Sequence, residues 1–344
     1  MLYLGCIAAA WLGAVLVCHR MLVVLSADLC ERELELDLQR IKRTLGAAYA
    51  RYESKGFSVS DVVFYYRNTT QRDYKKLERV LGPGMHTRLR TKEPIKDQWG
   101  GMRQAALVLS EIGKIPNHRV LEIGCGKGHC SLALASIVDE ISFEGMDLLE
   151  DHVLQARANA ELGMLRNVTF FQGDACSMDH SRTGYGLVFG CESLCHVADM
   201  GGIDRLVHRV SDMLVEGGLF IVIDGFRCAQ FDNHPAQYRQ AMLLAESGFR
   251  INRMYSTNEW AVACSSHGLR LISGKDLTEE AIPFWAMGWR MARLAFLFPS
   301  ATKWYMGSSA ARRETVSNMV SITTVAHAMG GGTAEYCMLV FRKK

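Results

Sequence analysis

The sequence predicts an α/β fold, a mainly parallel sheet with helices on both faces. Short apolar runs alternate with helical patterns between residues 119 and 226. A glycine-rich turn joins the first run to the first helix, and acidic residues end the second and third. Strands separated by helices at this spacing pair in parallel through right-handed crossovers.

The first expected strand is 119–123, followed by the turn Gly124-Cys-Gly126-Lys-Gly128 and a helix through Leu132 and Leu134 to Ile137. Strand two covers 141–146 and leads to a helix over 153–162; strands three and four cover 168–171 and 186–189. A helix over 203–214 leads through Gly217-Gly218 into strand five at 219–223. Beyond Asp224 the pattern loosens. Residues 235–248 read as a helix, 269–273 as a sixth strand and 335–342 as the last. Upstream, Leu34, Leu38, Ile41 and Leu45 recur at helical spacing among charged residues, giving an amphipathic stalk or the first helix of the body. Residues 58–90 carry Phe64, Tyr65, Tyr66 and Tyr74 before a Gly82-Pro83-Gly84 turn, and 98–113 reads as another helix. The expected organisation is an anchor (1–27), a helical cap (28–97), a Rossmann-like core (98–226), and a C-terminal part (227–344) with lid helices inserted before the last strands.

The 344 residues are 49% hydrophobic and 22% charged, enough apolar material for a large core. A net charge of +3 gives no nucleic-acid footprint. Eleven cysteines without a C-x-x-C read as buried, reduced thiols, with zinc or disulfides as the other readings; no metal site is evident. A homo-oligomer is compatible with this composition.

Met1 to Cys18 contain no charged residue. The segment predicts a single-pass membrane anchor at the lower limit of span. A signal peptide would want a positive start, which is missing; a buried helix of the body is the other reading. Arg20, Arg32, Arg40, Lys42 and Arg43 all follow the segment, which places the body on the cytosolic side, most naturally of the endoplasmic reticulum.

The turn reads E-x-G-x-G-x-G over Glu122, Gly124, Gly126 and Gly128. A dinucleotide turn would need glycine at 129, where His129 stands. Asp147 ends the second strand, where a carboxylate can accept both hydroxyls of a ribose. Asp174 follows the third, where it can meet an adenine amino group. Three such features in register at one sheet edge predict a nucleoside pocket. Cys125, Leu148, Ala175 and Cys191 complete its expected lining.

With VLEIGCGKG (120–128), GMD (145–147), QGDA (172–175) and LVEGGLFIVID (214–224), the chain resembles the class I S-adenosylmethionine-dependent methyltransferases. ESLCHV (192–197), GLRLISGKDLT (268–278) and EYCMLVFRK (335–343) are similar to segments of the sterol and tocopherol C-methyltransferases. The tyrosine-rich signature of the sterol enzymes is absent upstream, and their G-I-G-G turn is G-K-G-H here. The resemblance implies S-adenosylmethionine as cofactor and a lipophilic small-molecule acceptor: a sterol, prenyl lipid or quinone. A polar amine or natural product is the alternative acceptor, and a non-catalytic cofactor-binding membrane scaffold the alternative class.

Glu192 and His196 follow the fourth strand and are the candidate catalytic pair, Glu192 for developing positive charge and His196 as base or orienting donor. The plainer readings are that Glu192 caps the next helix and His196 packs under the adenosine. Cys191 and Cys195 are not expected to act as nucleophiles, since methyl transfer needs none. His86 is either a substrate-side residue or an ordinary histidine. Residues 283–306, rich in Trp, Phe and Met, form a lid over an apolar pocket, a membrane-contacting face, or plain helix core.

Overall fold

In the computed structural model, residues 21, 27–69, 86–90, 103–177 and 182–344 are described. Strands β1 (Arg119–Ile123), β2 (Ser142–Asp147), β3 (Val168–Gln172), β4 (Tyr185–Cys191) and β5 (Leu214–Arg227) pair in parallel. With β6 (Leu269–Asp276) and β7 (Ala334–Lys343) they form one sheet of order β3-β2-β1-β4-β5-β7-β6, in which β7 runs antiparallel to both neighbours. The order reverses beside β1, so β1 and β4 open a crevice at their carboxyl ends.

Alternation along the strands fills two cores. Val120, Leu187 and Ile221 join the cluster of α4 (Arg103–Ile112), α5 (His129–Ala135) and α6 (Glu150–Leu162). Leu121, Val188 and Phe220 face the other way, toward α8 (Ile203–Met213) and α10 (Thr257–Ser266). All seven residues of β4 are buried, as expected of a central strand covered on both faces.

The expected strands are all present, with shifted ends. β5 extends beyond 219–223 because β7 pairs with it as far as Arg227. Residues 283–306 are not one helix: α11 (Thr278–Ala292) passes through a 3₁₀ turn (Arg293–Leu297) into α12 (Pro299–Gly307). Two of the described C-terminal helices escaped the pattern. One is α10, whose start is fixed by the reciprocal Ser256–Glu259 capping box. The other is α13 (Ala310–Gly330), whose buried Ser317, Asn318, Ser321, Thr323 and Thr324 disguise it as a polar segment.

The cap is built from both ends of the chain. α1 (Glu31–Leu45), α2 (Tyr49–Ser54) and α3 (Val59–Thr69) pack with α9 (Ala236–Gly248), α11, α12 and α13. Leu34, Leu38, Ile41 and Leu45 are buried in the same cluster as Val120 and Leu187, so α1 is part of the body and the stalk reading falls. The described helices of the expected cap (28–97) thus share one layer with α9, α11, α12 and α13 of the C-terminal part (227–344). At its centre Asp37 accepts from Trp289 Nε1 at 2.7 Å and Arg293 Nε at 3.1 Å, and lies 3.1 Å from His327 Nε2. Burial alone would raise the Asp37 carboxyl. The His327 hydrogen bond, the Arg293 charge and the Trp289 hydrogen bond outweigh it and hold the group below its ordinary value.

Among the described residues no helix is long and apolar enough to cross a membrane. The anchor expected over 1–27 lies, except for Met21 and Ala27, outside them, as does the boundary at 97/98.

Candidate active site

The carboxyl edge of the sheet opens into a cavity of about 320 Å³ that continues under the cap. Its sheet-side wall begins at the turn after β1. The N–H groups of Gly124 and Cys125 both donate to Met146 O, at 2.7 and 2.9 Å, which fastens the turn to β2. Gly124 has φ +71°, and a Cβ there would stand 2.3 Å from Ser193 Cβ. Gly128 has φ +81°, and a Cβ would meet Phe170 at 2.6 Å. Each therefore needs glycine for its conformation and its close approach. At Gly126 the space a Cβ would take is open cavity.

Asp147 takes hydrogen bonds from Gly126 N (2.8 Å) and Leu149 N (2.9 Å), and lies 3.3 Å from His152 Nδ1. A carboxylate offers about four lone-pair sites, so room for a ribose hydroxyl remains. Asp174 accepts from Cys176 N at 2.9 Å and Ser177 Oγ at 3.0 Å, making a local turn while still lining the cavity. Carboxylates at two strand ends, apolar Leu148 and Ala175, and open space over Gly126 fit a nucleoside-bearing cofactor.

Of the expected cofactor residues, Gly124, Cys125, Gly126, Asp147, Leu148, Asp174, Ala175 and Cys191 line the cavity. Glu122 and Gly128 stand behind its wall. Glu122 is buried, accepts from Ser131 N at 3.0 Å and from the Ser131 hydroxyl, and so pins the start of α5. Burial pushes its carboxyl up to about 7. Side chains of β1 alternate, so Glu122 points into the α5 layer instead of past the strand end. Gly128 packs α5 onto β3.

Glu192, one residue beyond β4, has φ +53°, and its N–H donates to Ile223 O at 2.8 Å. Its side chain caps no helix. It accepts from Tyr336 Oη at 2.5 Å, Thr87 N at 2.7 Å and Gln104 Nε2 at 3.3 Å. Burial raises the Glu192 carboxyl above its usual range, and these three donors moderate the rise. His196, on α7 (Leu194–Gly201), is buried with its ring 5.3 Å from Tyr66, edge to face. Burial pushes it down to about 4, and His86, which also lines the cavity, equally to about 4. The hydrogen bond with Cys130 lowers the Cys191 thiol, but burial and the nearby carboxylates outweigh it and hold the group above its ordinary value; burial lifts the Cys195 thiol far above its own, which disfavours a thiolate nucleophile.

Sequence reasoning missed several lining residues. Asp224 accepts from Cys195 N and Gly225 N, and burial pushes it up to about 7. Tyr336 and Thr87 were also missed, because their link to Glu192 spans 144 and 105 residues. Tyr66, Met242, Phe249, Met254, Trp285 and Met329 form the apolar end of the cavity under the cap. Of 283–306, Trp285 lines the cavity while Trp289 and Phe296 are core, so this stretch is wall and core together.

Sheet order, glycine turn and paired carboxylates give the fold of the class I methyltransferases, with a pocket at the sheet edge that fits a nucleoside-bearing cofactor. Residues 120–218 match the family profile described as a methyltransferase domain. The chain resembles sterol C-methyltransferases. It is 25% identical over 182 residues to the sterol 24-C-methyltransferase erg-4 of Neurospora crassa, covering 53% of this chain and 47% of that one. To the cycloartenol-C-24-methyltransferase 1 of Oryza sativa it is 25% identical over 179 residues, 51% of this chain and 50% of that one. The chain spans about half the length of these curated relatives. Among solved structures, the cyclase SpnF superposes with a TM-score of 0.60 at 18% identity, covering 84% of this chain and 97% of that one. The geranyl diphosphate C-methyltransferase of Streptomyces coelicolor gives 0.58 at 15% identity, covering 83% and 97%. At these identities the structures speak for the fold.

Proposed function

We propose that the protein transfers a methyl group from S-adenosylmethionine to a lipophilic small molecule. The observation that carries this is one continuous cavity, running from Asp147 and Gly126 past Glu192 to Tyr66, Phe249 and Trp285. When bound, the cofactor supplies an electrophilic methyl group on a sulfonium. Asp147 would hold its ribose, Asp174 its adenine, and the backbone of 124–126 the remainder. The aromatic and methionine wall takes an apolar acceptor and excludes water, which leaves alignment as the main source of rate. Positive charge developing on the acceptor is met by the buried Glu192 carboxylate and by aromatic faces. His196, pushed down to about 4, is neutral near pH 7, which suits a hydrogen-bonding group that orients the acceptor better than a strong base.

The test is incubation with methyl-labelled S-adenosylmethionine and a total lipid and metabolite extract, with Asp147→Ala as control. Label in the organic phase, lost in the control, is the expected result. Label confined to the aqueous phase would shift the acceptor to a polar amine, which the acidic Glu192, Asp224 and Glu335 of the wall would suit. Cofactor binding with no label in either phase would overturn the catalytic reading and leave a cofactor-binding scaffold.

A further inference from the structure

α11 separates two apolar environments. Trp285 lines the cavity, and Met287, two residues on, lies on the opposite side of the helix. Met287 is 45% exposed, and Met291, one turn later, is 61% exposed. The chain that follows adds Phe298 at 37% and Trp304 at 74%. Between the two methionines in sequence, Arg290 turns to the start of the body: its Nε donates to Ala27 O at 3.2 Å, and its guanidinium lies 3.3 Å from Asp28. The residues that leave the uncharged segment 1–18 are therefore fastened to this helix. Eight residues separate Cys18 from Ala27. Fully extended they reach about 30 Å, so a membrane that takes up the segment lies within that distance of α11.

We infer that the outer face of α11, with Phe298 and Trp304 beyond it, rests on a lipid bilayer. Methionine and phenylalanine enter the acyl boundary, tryptophan sits at headgroup depth, and Lys303, exposed beside Trp304, reaches the phosphates. The inner face of the same helix then walls the cavity within one helix diameter of the lipid. The surface holds whichever acceptor is used.

The test uses the full chain in phosphatidylcholine–phosphatidylserine vesicles with brominated acyl chains, read by tryptophan fluorescence. Six tryptophans report, and Trp304→Phe isolates one. The expected result is that Trp304→Phe loses part of the lipid-quenched emission, and that Met287→Glu with Met291→Glu lowers Trp304 quenching at least about twofold. All altered side chains are exposed, and an unchanged far-ultraviolet spectrum shows that the variants fold. Lipid-quenched emission unaffected by Trp304→Phe overturns the inference. In that case, Trp304 quenched by aqueous iodide means the face looks to water. Trp304 silent to both quenchers means the N-terminal segment, or a second copy of the chain, covers it. No methyl transfer enters the readout, so failure here is separate from failure of the enzymatic reading.

Discussion

The turn after β1 and the interior of the cap are both tightly constrained, and by opposite means. The turn is held by backbone. Two N–H groups share Met146 O, and two glycines stand where a Cβ would strike Ser193 or Phe170. The cap interior is held by side chains: Asp37 collects Trp289, Arg293 and His327 from positions 252 to 290 residues away. A backbone-built site tolerates change in the side chains around it and fails at its glycines. A charge-built one fails when a single partner is lost.

The sharpest break is expected in the cap. Asp37→Ala leaves the fully buried Arg293 with Glu33 as its remaining carboxylate. Removing one partner of a buried pair costs about 3–5 kcal/mol, so thermal unfolding should move down by many degrees. A shift within error would show that the network contributes nothing to the cap.

At the turn, Gly124→Val should leave the fold assembled and weaken S-adenosylmethionine binding about 100-fold, since a Cβ there forces Ser193 aside. Calorimetry on the variant checks this, and unchanged affinity would show that the turn does not hold the cofactor. Glu192→Gln keeps the shape and one acceptor for Tyr336. Its kcat is expected to fall about 10- to 100-fold with cofactor affinity retained; full turnover would remove Glu192 from the chemistry.

The smallest effect concerns pH. Glu122 and Asp224, both pushed up to about 7, stabilise the fold fully below the ordinary carboxylate range and lose that contribution as pH rises through 7. His86 and His196, pushed down to about 4, contribute fully above about 6.5 and lose it as pH falls toward 4. The two pairs oppose each other across one window, so the wild-type stability should be nearly flat there. Glu122→Gln removes one carboxylate. Its stability relative to wild type is expected to rise by about 1–2 kcal/mol between pH 4.5 and 7. Chemical denaturation at the two pH values measures this, and a constant difference would show that Glu122 is not neutral in the fold at low pH.

The sequence by itself determined the alternation of strands and helices, the glycine turn, and the carboxylates after β2 and β3. These are local: a strand shows in five successive side chains, and a turn in the glycines that its backbone requires. Glu192 and His196 were also legible as cavity-lining residues, because Glu192 directly follows β4 and His196 sits in the first turn of the helix after it. The tertiary structure alone decided what Glu192 touches, since Thr87, Gln104 and Tyr336 come from three distant elements. It also decided that Glu122 serves the α5 layer, that both ends of the chain build one cap, and that Ser- and Thr-rich α13 runs through the centre of it. Buried polar groups are stable only when partners satisfy them. Those partners are brought by the fold from far along the chain, so nothing in the local pattern of α13 announces that it is core.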